Sequence, residues 1–203
     1  LLSLTVEPGG AGRPGLTIFD MDETLLHTYS EVKVVKHNKV VKVLNNQEFN
    51  TYKLEHGETF DFSDFSDARK FRATSRPIRS MLAKAKAILA NIKKRPGSKM
   101  IILTARSNFD DRDIFLSVFR SFNFDIDSVR VERAGNLSSG SVFKNKEIII
   151  REYLAKTDYA VVRMYDDALG NLEMLLDLQN DYPDTRFEAY LVNSGGTVRR
   201  YRR

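Results

Sequence analysis

The segment Phe19-Asp20-Met21-Asp22-Glu23-Thr24 sets two carboxylates two positions apart, directly after the apolar run Leu16 to Phe19. In an extended chain, residues i and i+2 project to the same side, so Asp20 and Asp22 can face one reacting centre. One such carboxylate can attack phosphorus while the other handles a proton. A carboxylate is a weak nucleophile, yet an aspartyl-phosphate splits one difficult transfer into two easier steps. The phosphoryl group carries negative charge toward Asp20, so a cation has to offset it. Asp166 and Asp167 follow a second apolar run, Tyr159 to Tyr165. With Asp20 they offer the oxygen ligands that Mg²⁺ prefers.

These residues need a scaffold, and the hydrophobic pattern supplies one. Leu16 to Phe19, Met100 to Leu103, Val129 to Val131, Tyr159 to Tyr165 and Phe187 to Val192 read as strands. Pro77 opens a helix with Ile78, Met81, Leu82, Ala85, Ile88, Leu89 and Ile92 at helical spacing, and Pro96-Gly97 stops it. Further helices are expected over 110–122, 144–156 and 172–178. Strands alternating with helices give an α/β fold, a Rossmann-like parallel sheet wrapped by helices. Ligands of such sheets gather beyond the carboxyl ends of the strands. Three expected strands end there in polar residues: Asp20 and Asp22, Thr104 and Arg106, Asp166 and Asp167.

Between the first two of these strands the texture changes. Val32, Val34, Val40, Val41 and Val43 surround Lys36-His37-Asn38-Lys39, and Phe49 to Leu54 follows, the pattern of a β-hairpin with a further strand. It is expected to form a small flap over about 31–54, followed by a loop or short helix pinned by Phe60, Phe62, Phe65 and Phe71. The Pro- and Gly-containing start, 1–15, reads as a flexible leader, 16–198 as one domain, and 199–203 as a solvated basic tail.

A chain of 203 residues can bury a real core, and 42% hydrophobic with 29% charged residues is the balance of a soluble globular protein. No apolar run approaches the roughly 20 residues of a membrane helix, and the start lacks the pattern of a secretory signal. With no cysteine there is no disulfide framework and no thiolate metal site, which fits a reducing cytosol, so a cytoplasmic location is expected. The net charge of +5 fits a polyanionic partner. Its excess sits in the arginines of the tail and in Lys33, Lys36, Lys39, Lys42 and Lys53 of the hairpin region.

On these residues the chain resembles the haloacid dehalogenase superfamily of phosphohydrolases, whose four motifs occur here in order between Leu16 and Leu178. Asp20-Met21-Asp22-Glu23-Thr24 is similar to the first motif. The resemblance implies Asp20 as nucleophile, Asp22 as general acid and then base, and the backbone carbonyl of Asp22 as a metal ligand. Thr104 is similar to the second motif, whose hydroxyl bonds a phosphoryl oxygen. Asp166-Asp167-Ala168-Leu169-Gly170-Asn171 is similar to the acidic fourth motif, with Asp166 the more direct ligand of the implied Mg²⁺. The third motif is a lysine near a helix start, either Lys144 or Lys146. Lys146 is favoured because Ile149, Ile150 and Tyr153 follow it at helical spacing.

The resemblance leaves the substrate open. Glu23 stands where most relatives have Gly, a form similar to phosphatases acting on the carboxyl-terminal tail of RNA polymerase. The adjacent acidic pair and the Lys-Glu helix start are similar to polynucleotide end-repair phosphatases instead. Arg106 could clamp a phosphate or substrate carboxylate, or form an ion pair at the entry to a helix. A small flap does not seal a pocket, which favours a large substrate. The expectation is therefore a Mg²⁺-dependent phosphomonoester hydrolase acting on a phosphorylated substrate, a nucleotide or nucleic-acid end. The alternatives are a protein phosphatase and a non-catalytic nucleic-acid-binding module of the same fold.

Overall fold

Five short apolar segments pair side by side through parallel backbone ladders, and a sixth closes one edge. The structure is a computed structural model that describes residues 12–137 and 140–203. In chain order its elements are β1 (Gly15–Phe19), β2 (Leu26–His27), β3 (Val32–Lys36), β4 (Lys39–Leu44), α1 (Asn46–Thr51), β5 (Glu58–Asp61), α2 (Ala68–Thr74), β6 (Arg76–Pro77) and α3 (Arg79–Ile92). There follow β7 (Lys99–Thr104), α4 (Arg112–Ser121), β8 (Arg130–Arg133), α5 (Val142–Lys156), β9 (Val161–Asp166), α6 (Leu169–Asp177), β10 (Arg186–Val192) and β11 (Val198–Tyr201). The main sheet runs β11-β10-β9-β1-β7-β8, parallel throughout except for the antiparallel pair β10 and β11.

Alternation along each strand sends side chains to two cores. On one face Phe19, Met100 and Ile102 pack with Met81, Leu82, Ala85 and Leu89 of α3 and with Phe115 and Phe119 of α4. On the other, Leu16, Ile18, Val162 and Met164 pack with Ile149 and Ile150 of α5 and with Leu172 and Leu175 of α6. The protein is thus a mixed α/β fold with a mostly parallel central sheet flanked by helices. Because β1 lies between β7 and β9, the chain leaves the centre of the sheet in both directions, and the cleft where loops part lies beyond the end of β1. No helix among the described residues is long and apolar enough to cross a membrane.

Several boundaries differ from expectation. The hairpin of β3 and β4 forms, with His37 and Asn38 both at positive φ (51° and 60°), the conformation a two-residue type I′ turn demands. Its third strand is β5, paired with β3, rather than 49–54. Residues Asn46–Thr51 are helical instead, because Asn45 and Glu48 form a reciprocal capping box that outweighs the local strand propensity. The residues expected as a basic tail, 199–203, are not free: Arg199 and Arg200 pair in β11 against Leu191 and Tyr190. The leader expected over 1–15 lies outside the described residues up to position 11. Arg13 is docked on Asp158 by two hydrogen bonds of 2.9 and 2.6 Å, and Gly15 already opens β1.

Candidate active site

Asp20 is the first residue beyond β1, and its amide donates to the Tyr165 carbonyl at 2.9 Å, which locks it to the end of β9. One of its carboxylate oxygens accepts from Lys146 Nζ at 2.8 Å and the other from the Thr24 hydroxyl at 3.2 Å. Lys146, one turn into α5 and 1% exposed, also donates to Asp166 at 3.0 Å. A buried ammonium spanning two buried carboxylates is costly unless fully paired, and here all three groups have partners. Asp166, at the end of β9, further accepts from the Ala168 amide at 2.8 Å and from Asn171 Nδ2 at 3.0 Å.

The carboxylate oxygens of Asp20, Asp166 and Asp167 lie within 4.8 Å of one another. That is a hard, all-oxygen donor set, the kind Mg²⁺ takes. Burial, and after it the charge of Asp166, raises the Asp20 carboxyl well above the ordinary range, with Lys146 pulling in the opposite direction. Asp167 keeps much of its surface in solvent, yet partial withdrawal from water and the Asp166 charge lift it to about 6. Burial disfavours the charged form of Lys146, but Asp166 and Asp20 overcome this and hold it protonated more firmly than an ordinary lysine.

Asp22 is held differently. Its oxygens accept from Arg106 Nε at 2.9 and 3.1 Å and from Nη2 at 2.6 Å, and from the Thr28 hydroxyl at 2.7 Å. Burial alone would raise its pKa; the Arg106 guanidinium and these hydrogen bonds reverse that and leave it lowered. The arrangement therefore suits Asp22 to accept a proton rather than to donate one. Thr104, fully buried at the end of β7, donates weakly to Asp22 at 3.4 Å and accepts the Arg106 amide at 3.1 Å.

Arg106, expected either as a substrate clamp or in an ion pair, is buried beside Asp22. Its third donor, Nη1, goes to the Phe65 carbonyl at 2.9 Å, and its guanidinium lies 4.9 to 5.4 Å from the rings of Phe65, Phe71 and Phe109. Each of its three nitrogens has a protein partner, and Asp22 is its ion-pair partner. Lys144, the other candidate for the third motif, is exposed, because two residues along a helix turn the side chain to a different face. Asp22 also stands apart from the acidic group: its carboxylate is committed to Arg106, not to the cluster around Asp20.

Glu23 carries a left-handed backbone (φ 59°), and its carboxylate bonds His27 Nδ1 at 2.8 Å and the Thr28 amide at 3.1 Å. It folds the turn after Asp22 back on itself and so presents Thr28 to Asp22, a local task that gives its departure from glycine a cause. Thr24, Thr28, Asn171 and Gly135 were not singled out from the sequence. Asn171 could have been read from its place one turn into α6 after Asp166. Gly135 carries no local signal. A methyl group there would meet the backbone of Ala105 to Ser107 at 2.5 to 2.6 Å, so only glycine lets that loop approach the segment bearing Arg106. Compared with protein-family models and with the curated proteins, the chain matches none.

Proposed function

We propose that the protein is a phosphomonoester hydrolase of the haloacid dehalogenase type that works through an aspartyl-phosphate and requires Mg²⁺. The observation that carries the reading is the Asp20 carboxylate, bonded by buried Lys146 and facing Asp166 and Asp167 within 4.8 Å, with Asp22 held two residues away. Asp20 is the nucleophile. Lys146 neutralises charge that gathers between Asp20 and the incoming phosphoryl group. Asp20, Asp166 and Asp167, joined by the backbone carbonyl of Asp22, would hold the metal, which when bound offsets phosphoryl charge as a Lewis acid.

Asp22, kept ionised by Arg106, takes the proton of the water that attacks phospho-Asp20. The released aspartate and inorganic phosphate balance that step. Protonation of the leaving group asks Asp22 to carry a proton against the pull of Arg106, so esters of acidic alcohols react fastest. The separate sheet of β3, β4 and β5 then acts as a small flap rather than a sealed lid, which favours a bulky substrate such as a nucleotide or a nucleic-acid end.

The test is hydrolysis of an aryl phosphate with and without Mg²⁺, using wild type and Asp20→Asn. The expected result is Mg²⁺-dependent turnover that Asp20→Asn abolishes, with phosphate trapped on Asp20 in rapid-quench mass spectrometry. Undiminished Mg²⁺-dependent turnover by pure Asp20→Asn protein would refute the nucleophile. Ranking phosphorylated oligonucleotides against phosphopeptides then fixes the substrate class.

A further inference from the structure

The cluster around Asp20 lies beyond the carboxyl ends of the strands. At their opposite ends, about 16 Å away for a strand of this length, a cavity of about 580 Å³ opens where β1 and β9 begin. Arg13, Lys94, Arg95, Arg163 and Arg186 line it, and no carboxylate does. Three of the guanidiniums are fixed in place. Arg13 is held by Asp158 and by the carbonyls of Tyr159 and Asp184, each at 2.9 Å or less. Arg163 and Arg186 are aimed by Glu188, at 2.9 and 2.8 Å.

Glu188 is the sole acid recorded for Arg163, Arg186 and the more distant Arg200 (3.8 Å) among the described residues. One carboxylate cannot balance the two guanidiniums that line the cavity, Arg163 and Arg186, so one positive charge is left over. Lys94 and Arg95, exposed after the end of α3, form no ion pair among the described residues and add two more. A concentration of cations this size is destabilised by self-repulsion unless an anion relieves it. The exposed large apolar side chains of the protein, such as Val40, Phe62 and Phe143, lie elsewhere, so the cavity lacks the hydrophobic anchors of a membrane-binding surface.

We propose that this cavity binds the phosphodiester backbone of a single nucleic-acid strand. Arg163 and Arg186, which meet Glu188 through Nε, supply guanidinium donors for phosphate, and exposed Lys94 and Arg95 add charge for successive phosphates. The site is independent of the catalytic reading, since it shares no residue with the acidic cluster and binds internal phosphates rather than a terminal one. It also places the polyanion contact on the sheet's far end and not on the lysine-rich hairpin.

The test is fluorescence anisotropy with a labelled oligothymidylate of about 12 nucleotides that carries no terminal phosphate. If Lys94, Arg95, Arg163 and Arg186 engage, affinity falls about 50-fold between 50 and 200 mM salt, and Lys94→Ala with Arg95→Ala flattens the slope of log affinity against log salt by about 1.4. Neither residue holds a partner whose loss would unfold the protein. Asp20→Asn is expected to bind like wild type, whatever its effect on aryl phosphate turnover. The proposal is overturned by an unchanged slope in the Lys94/Arg95 variant, by a slope carried instead by Lys39 and Lys42, or by loss of binding in Asp20→Asn. It is equally overturned if only tripolyphosphate, or only vesicles containing phosphatidylserine, bind at this site.

Discussion

Lys146→Met removes the one ammonium between Asp20 and Asp166 while keeping an apolar stem of similar length. In the wild type its Nζ lies 2.8 Å from Asp20 and 3.0 Å from Asp166, and neither residue is more than 5% exposed. Breaking a buried ion pair by deleting one partner costs about 3–5 kcal/mol, because the remaining charge is stranded out of water. At about 2–4 °C per kcal/mol for a chain of this size, the melting temperature at pH 7 should drop by about 6–20 °C. The sign of the pH dependence follows from Asp20. Burial first and Asp166 second already place its folded pKa above the unfolded value, so the stability its protonation gives is fully present below the unfolded pKa and is lost as pH rises through the folded one. Removing Lys146 raises it further. The deficit of the variant should therefore shrink as pH falls from 7 toward 5, and the double variant Asp20→Asn/Lys146→Met should be less destabilised than Lys146→Met alone. Urea unfolding at the two pH values measures both effects. A deficit at pH 7 below about 1 kcal/mol, or one that ignores pH, would refute the buried-triad account, since paired buried charges cannot be separated so cheaply.

Lys144→Ala, by contrast, should leave stability within about 0.5 kcal/mol and aryl phosphate turnover unchanged, because its side chain is solvated. Arg106→Lys cannot reproduce the fork on Asp22 or the contact with three phenylalanine rings; kcat should fall about 10-fold or more with little change in KM, read from steady-state kinetics. Gly135→Ala should depress the same constant without touching the acidic cluster, since the added methyl pushes on the 105–107 backbone, and an unaffected kcat would show that this loop is free to yield. Glu188→Gln should destabilise by about 1.5–3 kcal/mol at pH 7. Burial favours the neutral acid, but Tyr190 and Arg163 win and depress the Glu188 pKa. Its contribution is thus present above the ordinary glutamate range and lost as pH falls through the depressed value, so the gap between the variant and wild type should narrow as acid denaturation proceeds.

The central strands β1, β7 and β9 were legible because each is a short, largely apolar run, and a strand buried on both faces permits little else. The polar residues closing them were legible for the complementary reason: Asp20, Thr104 and Asp166 interrupt apolar runs at positions where a hydrophobic residue would cost nothing. Lys146 was separable from Lys144 by periodicity alone, since only one of two lysines two residues apart can share the stripe of Ile149 and Ile150. What escaped was set by contacts distant in sequence or by local chemistry. Strand propensity in Phe49 to Leu54 lost to the Asn45–Glu48 cap, and the arginines after Val198 found a strand edge that composition could not announce. Arg106 could be read two ways because its partner, Asp22, lies 84 residues away.

The fate of Arg106 also constrains the chemistry of the cluster. If Arg106 faced the substrate, two cations would share the phosphoryl charge and Asp22 would be free to carry a proton. With Arg106 turned onto Asp22, those two charges cancel each other, and Lys146 alone stands against Asp20, Asp166 and Asp167. Three carboxylates and one ammonium leave two negative charges when all are ionised, the charge of one divalent cation. Burial first, and the Asp166 charge after it, raise the pKa of Asp20, the second of these acting in the direction such an imbalance requires. A nucleophilic aspartate cannot attack while protonated. On the proposed reading, the same ion pair that keeps Asp22 ready to accept a proton leaves Asp20 in need of a positive charge from outside the chain. A divalent cation bound by one oxygen each of Asp20, Asp166 and Asp167 would meet that need and leave the other Asp20 oxygen unprotonated for attack.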